Sequence, residues 1–392
     1  MILQIIFWIA VFLILYTYIG YPMVLFTFVF IKRKLKKSKK EVFEHHELPE
    51  TTLIVPCFNE ADYIRDKIDN TLLLKYPEGR LTIFFVTDGS TDESMDIIKG
   101  HPEIILHHSD ERKGKNAAVN RVMEYVKTPT VIFCDANTLL NEDAIVNIVR
   151  HYKDPKVGAV AGEKRVLQKT ADGASASGEG AYWKYESQLK KWDSELQTVV
   201  GAAGELFSVR VDLYEKVPEN IIIEDFYLSM RIVEQGFKTV YEPDSYASET
   251  SSESIKEERK RKIRISAGGI QAIILLKGML NIFKHGMASF QYISHRALRW
   301  TLTPLALIIA LSLNIVLAYS GNIIYIILLA GQIAFYLLAL LGYILQEKEI
   351  KLKGLFIPYY FFFMNWSVYQ GFFRFMKGKQ SAVWEKAKRA SA

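Results

Sequence analysis

Cysteine and histidine are scarce, two and eight in 392 residues. Neither type gathers at metal-ligand spacing, which excludes a zinc-type cluster. Cys57 and Cys134 each sit near the end of an apolar run, the pattern of reduced, buried thiols in a cytosolic domain. Charge is missing from residues 3 to 31 and from most of 301 to 345. Each stretch is long enough to cross a bilayer, which takes about 20 apolar residues. The first has no basic segment before it and no small-residue cleavage site after it, so it reads as an anchor rather than a cleaved signal. No internal repeat is visible. A pure membrane bundle is excluded as well, because mean hydropathy is only +0.07. The segment between the two apolar stretches has ordinary charged content and enough length for one globular domain with a full core.

What is present in excess is positive charge, +6 overall. Most of it lies beside the apolar stretches, as in "KRKLKKSKK" at residues 32 to 40. That distribution reads as membrane topology and not as nucleic-acid binding. It puts the N-terminus outside and the central domain in the cytosol of a multi-pass protein of the cell membrane, with the block itself suited to anionic lipid. The organisation expected is a transmembrane helix at 1–31, a basic cytosolic linker at 32–50 and an α/β domain at 51–253. Amphipathic helices at the membrane surface follow at 254–300, then a membrane region at 301–376 and a basic tail at 377–392. Within the membrane region, spans are expected near 302–320, 322–345 and 354–376. The direction of the last stays open, since crossing would leave the basic tail outside against the positive-inside tendency.

Inside the central domain, apolar runs alternate with helical segments, the pattern of a mostly parallel sheet. The runs "TTLIVPCFNE", "LTIFFVTDGSTDES" and "TVIFCDAN" all end in polar turns. Ligands of such sheets bind at the carboxyl ends of the strands. Asn59, Glu60, Asp88, Asp135 and Asn137 therefore mark a candidate site, with helix capping as the alternative for each. "ADGASASGEG", residues 171 to 180, reads as a mobile connection. Glu224 and Asp225 follow three isoleucines at an expected helix start.

Alternation of side chains in an extended segment puts Asp135 and Asn137 on one side. A carboxylate and an amide oxygen there suit a hard cation, Mg2+ or Mn2+, that keeps waters and phosphate oxygens as further ligands. Asp225, opening a helix after a buried run, is the candidate general base, again with capping as the alternative.

The ordered set "IVPCFNE", "VTDGSTDES", "GKNAAVN", "CDANT", "IIIEDFYLSMRIVEQGF" and "RKIRISAGG" resembles the processive-type family 2 glycosyltransferases, the group of cellulose, hyaluronan and chitin-oligosaccharide synthases. The resemblance spans roughly residues 50 to 270. It implies a GT-A-type α/β catalytic domain flanked by transmembrane helices, and inverting transfer from a nucleotide-sugar, a UDP-sugar first of all. Pro56, Asn59, Glu60, Asp88 and Lys115 would bind the donor. Asp135 and Asn137 stand where the family shows its Asp-x-Asp metal motif, Asp135 also meeting the donor. Asp225 matches the catalytic base. Lys262 and Arg264 fall at the element that holds the diphosphate, where a basic run is as often a surface anchor. Glu224 and Trp183 are expected on the acceptor side, with core packing the alternative for the tryptophan. Two departures stand out. Residue 137 is an amide instead of a second carboxylate, and "RKIRI" keeps an arginine without the family's glutamine and tryptophan. Polymer synthesis, single-sugar transfer to a lipid carrier and a non-catalytic subunit of a synthase all remain open. With so few spans, an export channel would draw on a homo-oligomer or an export partner.

Overall fold

The computed structural model describes residues 1–35, 42–167, 174–250, 255–347 and 353–378. Eight strands form one sheet: β1 Thr51–Cys57, β2 Leu81–Asp88, β3 Ile105–Ser109, β4 Thr130–Cys134, β5 Leu139–Leu140, β6 Val157–Leu167, β7 Leu206–Arg210 and β8 Lys238–Thr250. Their order is β3-β2-β1-β4-β7-β6-β8-β5. The half made of β3, β2, β1 and β4 is parallel. β7 lies antiparallel to both β4 and β6, so the sheet as a whole is mixed. Apolar patterning dictates which residues are buried but not which way a strand runs, so the parallel half is evident from the sequence and the reversal at β7 is not.

Every residue of β1 is buried, as a central strand covered on both faces requires. On one face Leu53, Val55 and Ile132 pack with Ile64 and Ile68 of the helix Ala61–Leu72. On the other, Ile54, Val131 and Phe133 pack with Val119 and Val122 of the helix Lys115–Met123. The strand ends that carry polar residues are thereby fixed from both sides.

Two helices, Ile2–Leu35 and Ile323–Gln346, are long and apolar enough to cross a membrane, and a third span results if the bent pair Met287–Trp300 and Leu302–Ala318 is one unit. The bend is 53°, centred on Thr301. The helix Lys353–Met376 lies against its neighbours through glycines: a Cβ on Gly371 would meet Ser266 and Ala267, and one on Gly342 would meet Leu355 and Tyr359. By length and composition it is not among the candidate spans of the described residues.

Residues 254–300, expected at the membrane surface, also bury a face against the catalytic domain. Ala267, Leu276, Met279 and Tyr292 share a core with Ile222, Ile223 and Phe226. The Trp300 ring covers Gly269, where a Cβ would stand 2.4 Å from the indole, and meets Phe226 edge-on at 5.2 Å. Of the stretch read as a mobile connection, residues 174 to 180 begin the helix Ala174–Leu196, and residues 171 to 173 lie outside the described residues. Parts of the basic linker (36–41) and of the basic tail (379–392) also lie outside them.

Gly201 has φ +84°, and a Cβ there would lie 2.1 Å from the Phe226 ring. Alanine would cost about 1–2 kcal/mol for the left-handed backbone and about 1–3 kcal/mol for overpacking. Gly201→Ala is expected to lower the thermal midpoint in detergent and to displace Asp225, the neighbour of Phe226. An unchanged melt would contradict this.

Candidate active site

The polar ends of β1 and β2 are stitched to each other. Asn59 takes φ +52°, a conformation asparagine tolerates better than most residues. Its Oδ1 accepts from the Thr91 backbone N at 2.8 Å, and its own backbone N donates to Ser90 Oγ at 3.2 Å. Asp88 is buried, and its Oδ2 accepts from the backbone N of Lys113 (2.9 Å) and Gly114 (2.6 Å). This anchors the loop that leads to Lys115. Glu60 is the N-cap residue of the helix Ala61–Leu72 but its side chain makes no cap; Asp92, from the next loop, accepts from the Ala61 N at 2.9 Å. Pro56, Asp88, Gly114 and Lys115 line a small cleft with Phe58 and Arg112. The Arg112 guanidinium lies 3.7 Å over the Phe58 ring.

At the end of β4, Thr138 Oγ1 donates to the Asp135 carbonyl at 2.9 Å and closes the turn. Lys67, fully buried beneath it, donates to Cys134 Sγ and to the Thr138 carbonyl, both at 2.9 Å. The next helix begins only at Ala144, so Asp135 and Asn137 are not its caps. Asp225 lies in the first turn of the helix Glu224–Glu234, whose start has no side-chain cap. Its carboxylate instead faces Gly204, where a Cβ would be 3.3 Å from Oδ2.

These elements converge. Lys115 Nζ lies 2.7 Å from Asp135 Oδ1 and 2.7 Å from Glu224 Oε1, all three side chains being mostly buried. Burial opposes the ammonium charge, yet Asp135 and Glu224 outweigh it and hold the lysine well above its ordinary range. Glu224 is held below the usual carboxylate range: burial pushes it up, and the Lys115 charge pulls it further down. Asp225 goes the other way. Burial first, then the Glu224 charge beside it, raise its carboxyl to about 7. Two adjacent carboxylates with opposed protonation preferences are the arrangement a base and its electrostatic partner need.

Asp135, Asn137, Glu224 and Asp225 all line a cavity of about 760 Å3, as do Lys115 and Glu60. Trp183, Lys262 and Arg264 line it from other sides. The ammonium groups of Lys164, Lys190 and Lys262 stand 5.3, 5.8 and 5.5 Å from the Trp183 ring. Lys262 pairs with Glu258 at 3.2 Å. Arg264 is partly buried on the side of the site carboxylates, and burial holds its guanidinium below the ordinary range despite Glu224. Of the expected residues, Pro56 and Asp88 belong to the small cleft, and Asn59 serves the loop that frames it. The others meet in the large cavity. Glu205 escaped notice in the sequence. It holds Lys164 at 2.8 Å and Arg261 at 2.8 Å at the cavity wall. Arg296, Arg299 and Trp300 also line it, and arginines in so apolar a setting were the available signal.

A divalent cation fits the Asp135–Asn137 turn. Asn137 Oδ1 is buried and makes no hydrogen bond, and both side chains offer hard oxygen donors. No group of three or more acidic, histidine or cysteine side chains poised for a metal occurs among the described residues. The remaining ligands would be phosphate oxygens and water.

Residues 49–268 match the model of the glycosyltransferase like family 2, and the chain belongs to that family. Among curated relatives, it is similar to the poly-beta-1,6-N-acetyl-D-glucosamine synthases of Staphylococcus aureus, 28% identical over 261 residues, and Staphylococcus epidermidis, 25% over 260. Each alignment covers 63% of this chain and 61% of the relative, so the chain spans about three-fifths of the length of the curated relatives it matches. Among solved structures, the mannosyltransferase PcManGT of Pyrobaculum calidifontis, in complex with GDP-Man and Mn2+, has a TM-score of 0.72 at 22% identity and covers 96% of this chain and 100% of that one. The likeness to it shows the fold. The family and the GT-A architecture expected from the sequence are thus borne out.

Proposed function

We propose that this chain is a membrane-bound inverting glycosyltransferase that moves a sugar from a nucleotide-sugar, a UDP-sugar first of all, to a glycan or lipid-linked acceptor. The observation that carries this reading is the convergence of Asp225, Lys115, Asp135 and Asn137 on one cavity that membrane-helix residues also line. The small cleft between Phe58, Arg112 and Asp88 suits the flat base of the nucleotide. Lys115, Lys262 and Arg264 supply positive charge for the diphosphate. Asp225 accepts the proton of the acceptor hydroxyl as its oxygen attacks the anomeric carbon, and the bond to the diphosphate oxygen breaks on the opposite face. Asp135 and Asn137 would hold Mg2+ or Mn2+, which when bound neutralises the leaving diphosphate. Glu205 fixes Lys164 and Arg261 at the wall, and Trp183 offers an aromatic face to an acceptor sugar.

A cytosolic catalytic domain is supported by the start of the basic block. Lys32 donates to the carbonyls of Glu195 and Leu196 at 2.7 and 2.8 Å, and Arg33 pairs with Glu195 at 2.6 Å. These contacts put Lys32 and Arg33 beside the catalytic domain, and the positive-inside tendency favours the cytosol for that side. A homo-oligomer or an export partner would be needed to move a polymer across.

The test is nucleoside diphosphate release by the purified protein in detergent, over UDP- and GDP-sugars with Mn2+ or Mg2+. Release from one donor is expected, and chelator should abolish it. Donor binding without release, in the presence of extracted membrane acceptors, would instead identify a non-catalytic subunit.

A further inference from the structure

The cavity is also lined by part of a cationic cluster that the reaction as described leaves unused. Glu186 is buried and receives Arg296 Nη2 at 3.0 Å, Arg299 Nη1, and His295 Nε2 at 3.4 Å. His295 Nδ1 lies 2.5 Å from Asp193 Oδ2. Asp193 also accepts from Gln291 Nε2 at 3.0 Å and from the Tyr21 hydroxyl. Both ring nitrogens of His295 thus face carboxylate oxygens. Among the described residues, the ion pairs of the two guanidiniums, Arg296 and Arg299, are both with one carboxylate, Glu186.

One positive charge is therefore left over in a buried place, where an unbalanced charge is costly. Arg296, Arg299 and Glu186 are the part of the cluster that borders the cavity. Arg299 is 8% exposed, and the Nε of each arginine is buried without a hydrogen-bond partner. The wall beside them is supplied by membrane-associated helices: Tyr18, whose ring lies 5.7 Å from the Arg299 guanidinium, and Met364, Asn365 and Val368. A donor diphosphate already has Lys115 and Arg264 near the carboxylates. Arginines with an unpartnered Nε, an excess positive charge and a membrane-side wall suit a phosphate that arrives from the bilayer.

We propose that Arg296 and Arg299 form the binding site for the phosphate of a lipid-linked acceptor, which the cavity connects to Asp225. This rests on the glycosyltransferase reading and names its acceptor class. No covalent step occurs at the site. The phosphate is held while a hydroxyl further along the acceptor reaches the base.

The test uses the full chain in detergent micelles with three probes, farnesyl phosphate, farnesol and inorganic phosphate, and with UDP and GDP plus Mn2+ as separate ligands. Farnesyl phosphate is expected to bind at least tenfold more tightly than farnesol or inorganic phosphate. Arg296→Gln should weaken it at least tenfold and Arg296→Lys less, with nucleotide affinity unchanged in both. Equal binding of farnesol, or of inorganic phosphate, overturns the proposal, the latter by showing a small-anion site. A parallel fall in nucleotide affinity overturns it too, by assigning the arginines to the donor. Should Arg296→Gln fail to fold, the wild-type probe comparison and Arg296→Lys still decide. Failure of either nucleotide to bind, with farnesyl phosphate binding intact, would sink the glycosyltransferase reading and leave the anion site standing.

Discussion

Asp225→Asn is expected to lower the rate of transfer by about 100- to 10,000-fold, the contribution of a positioned general base, while donor binding persists. The substitution keeps the size of the side chain and removes its basicity. It should not unfold the protein. The Asp225 carboxyl has its pKa raised from 3.8 to about 7 on folding, so its protonated form is favoured in the folded state. Stability from this group is present at low pH and is lost as pH rises through about 7. At pH 8 the asparagine variant should melt at or above the wild-type temperature. The same raised pKa sets the pH profile. Burial and the Glu224 charge make Asp225 hold its proton up to about pH 7. A base works only when ionised, so kcat/KM of the wild type should fall tenfold per pH unit below about 7 and level off above it. A flat profile between about pH 5.5 and 7.5, or full activity in the variant, would assign the base elsewhere.

Lys115→Met should have the second large effect, on stability first. The lysine is the shared cation of Asp135 and Glu224, at 2.7 Å from each. Removing one partner from a buried ion pair costs about 3–5 kcal/mol, because a charge is left uncompensated. A thermal or denaturant melt reads this directly. There is a second consequence. The Lys115 charge pulls the Asp225 carboxyl down, so without it the acid limb of the activity profile should move to higher pH. A variant with wild-type stability and an unmoved profile would mean that Arg264 suffices to balance the carboxylates.

How much of this could be read from the residues depended on the reach of each interaction. The strands of the parallel half were legible because an apolar run that ends in a polar turn is a local signal. Asp135 and Asn137 were legible for the same reason, being two positions apart on one extended segment. The start of the helix Ala61–Leu72 at Glu60 was legible too, but not the side chain that caps it, Asp92 from another loop. Glu205 looks unremarked among small residues until folding brings Lys164 and Arg261 to it. The cationic cluster is assembled from three helices far apart in the chain, Tyr21–Leu35, Ala174–Leu196 and Met287–Trp300. No window of neighbouring residues contains it.

The 53° bend at Thr301 links the bilayer to the chemistry through a lever. On one side of the bend is the apolar helix Leu302–Ala318. On the other is Trp300, wedged on Gly269 and against Phe226, the residue after the base. A tilt of the apolar arm would press the indole against that ring. On the proposed function, the lipid around the protein would then bear on the placement of Asp225 without touching it.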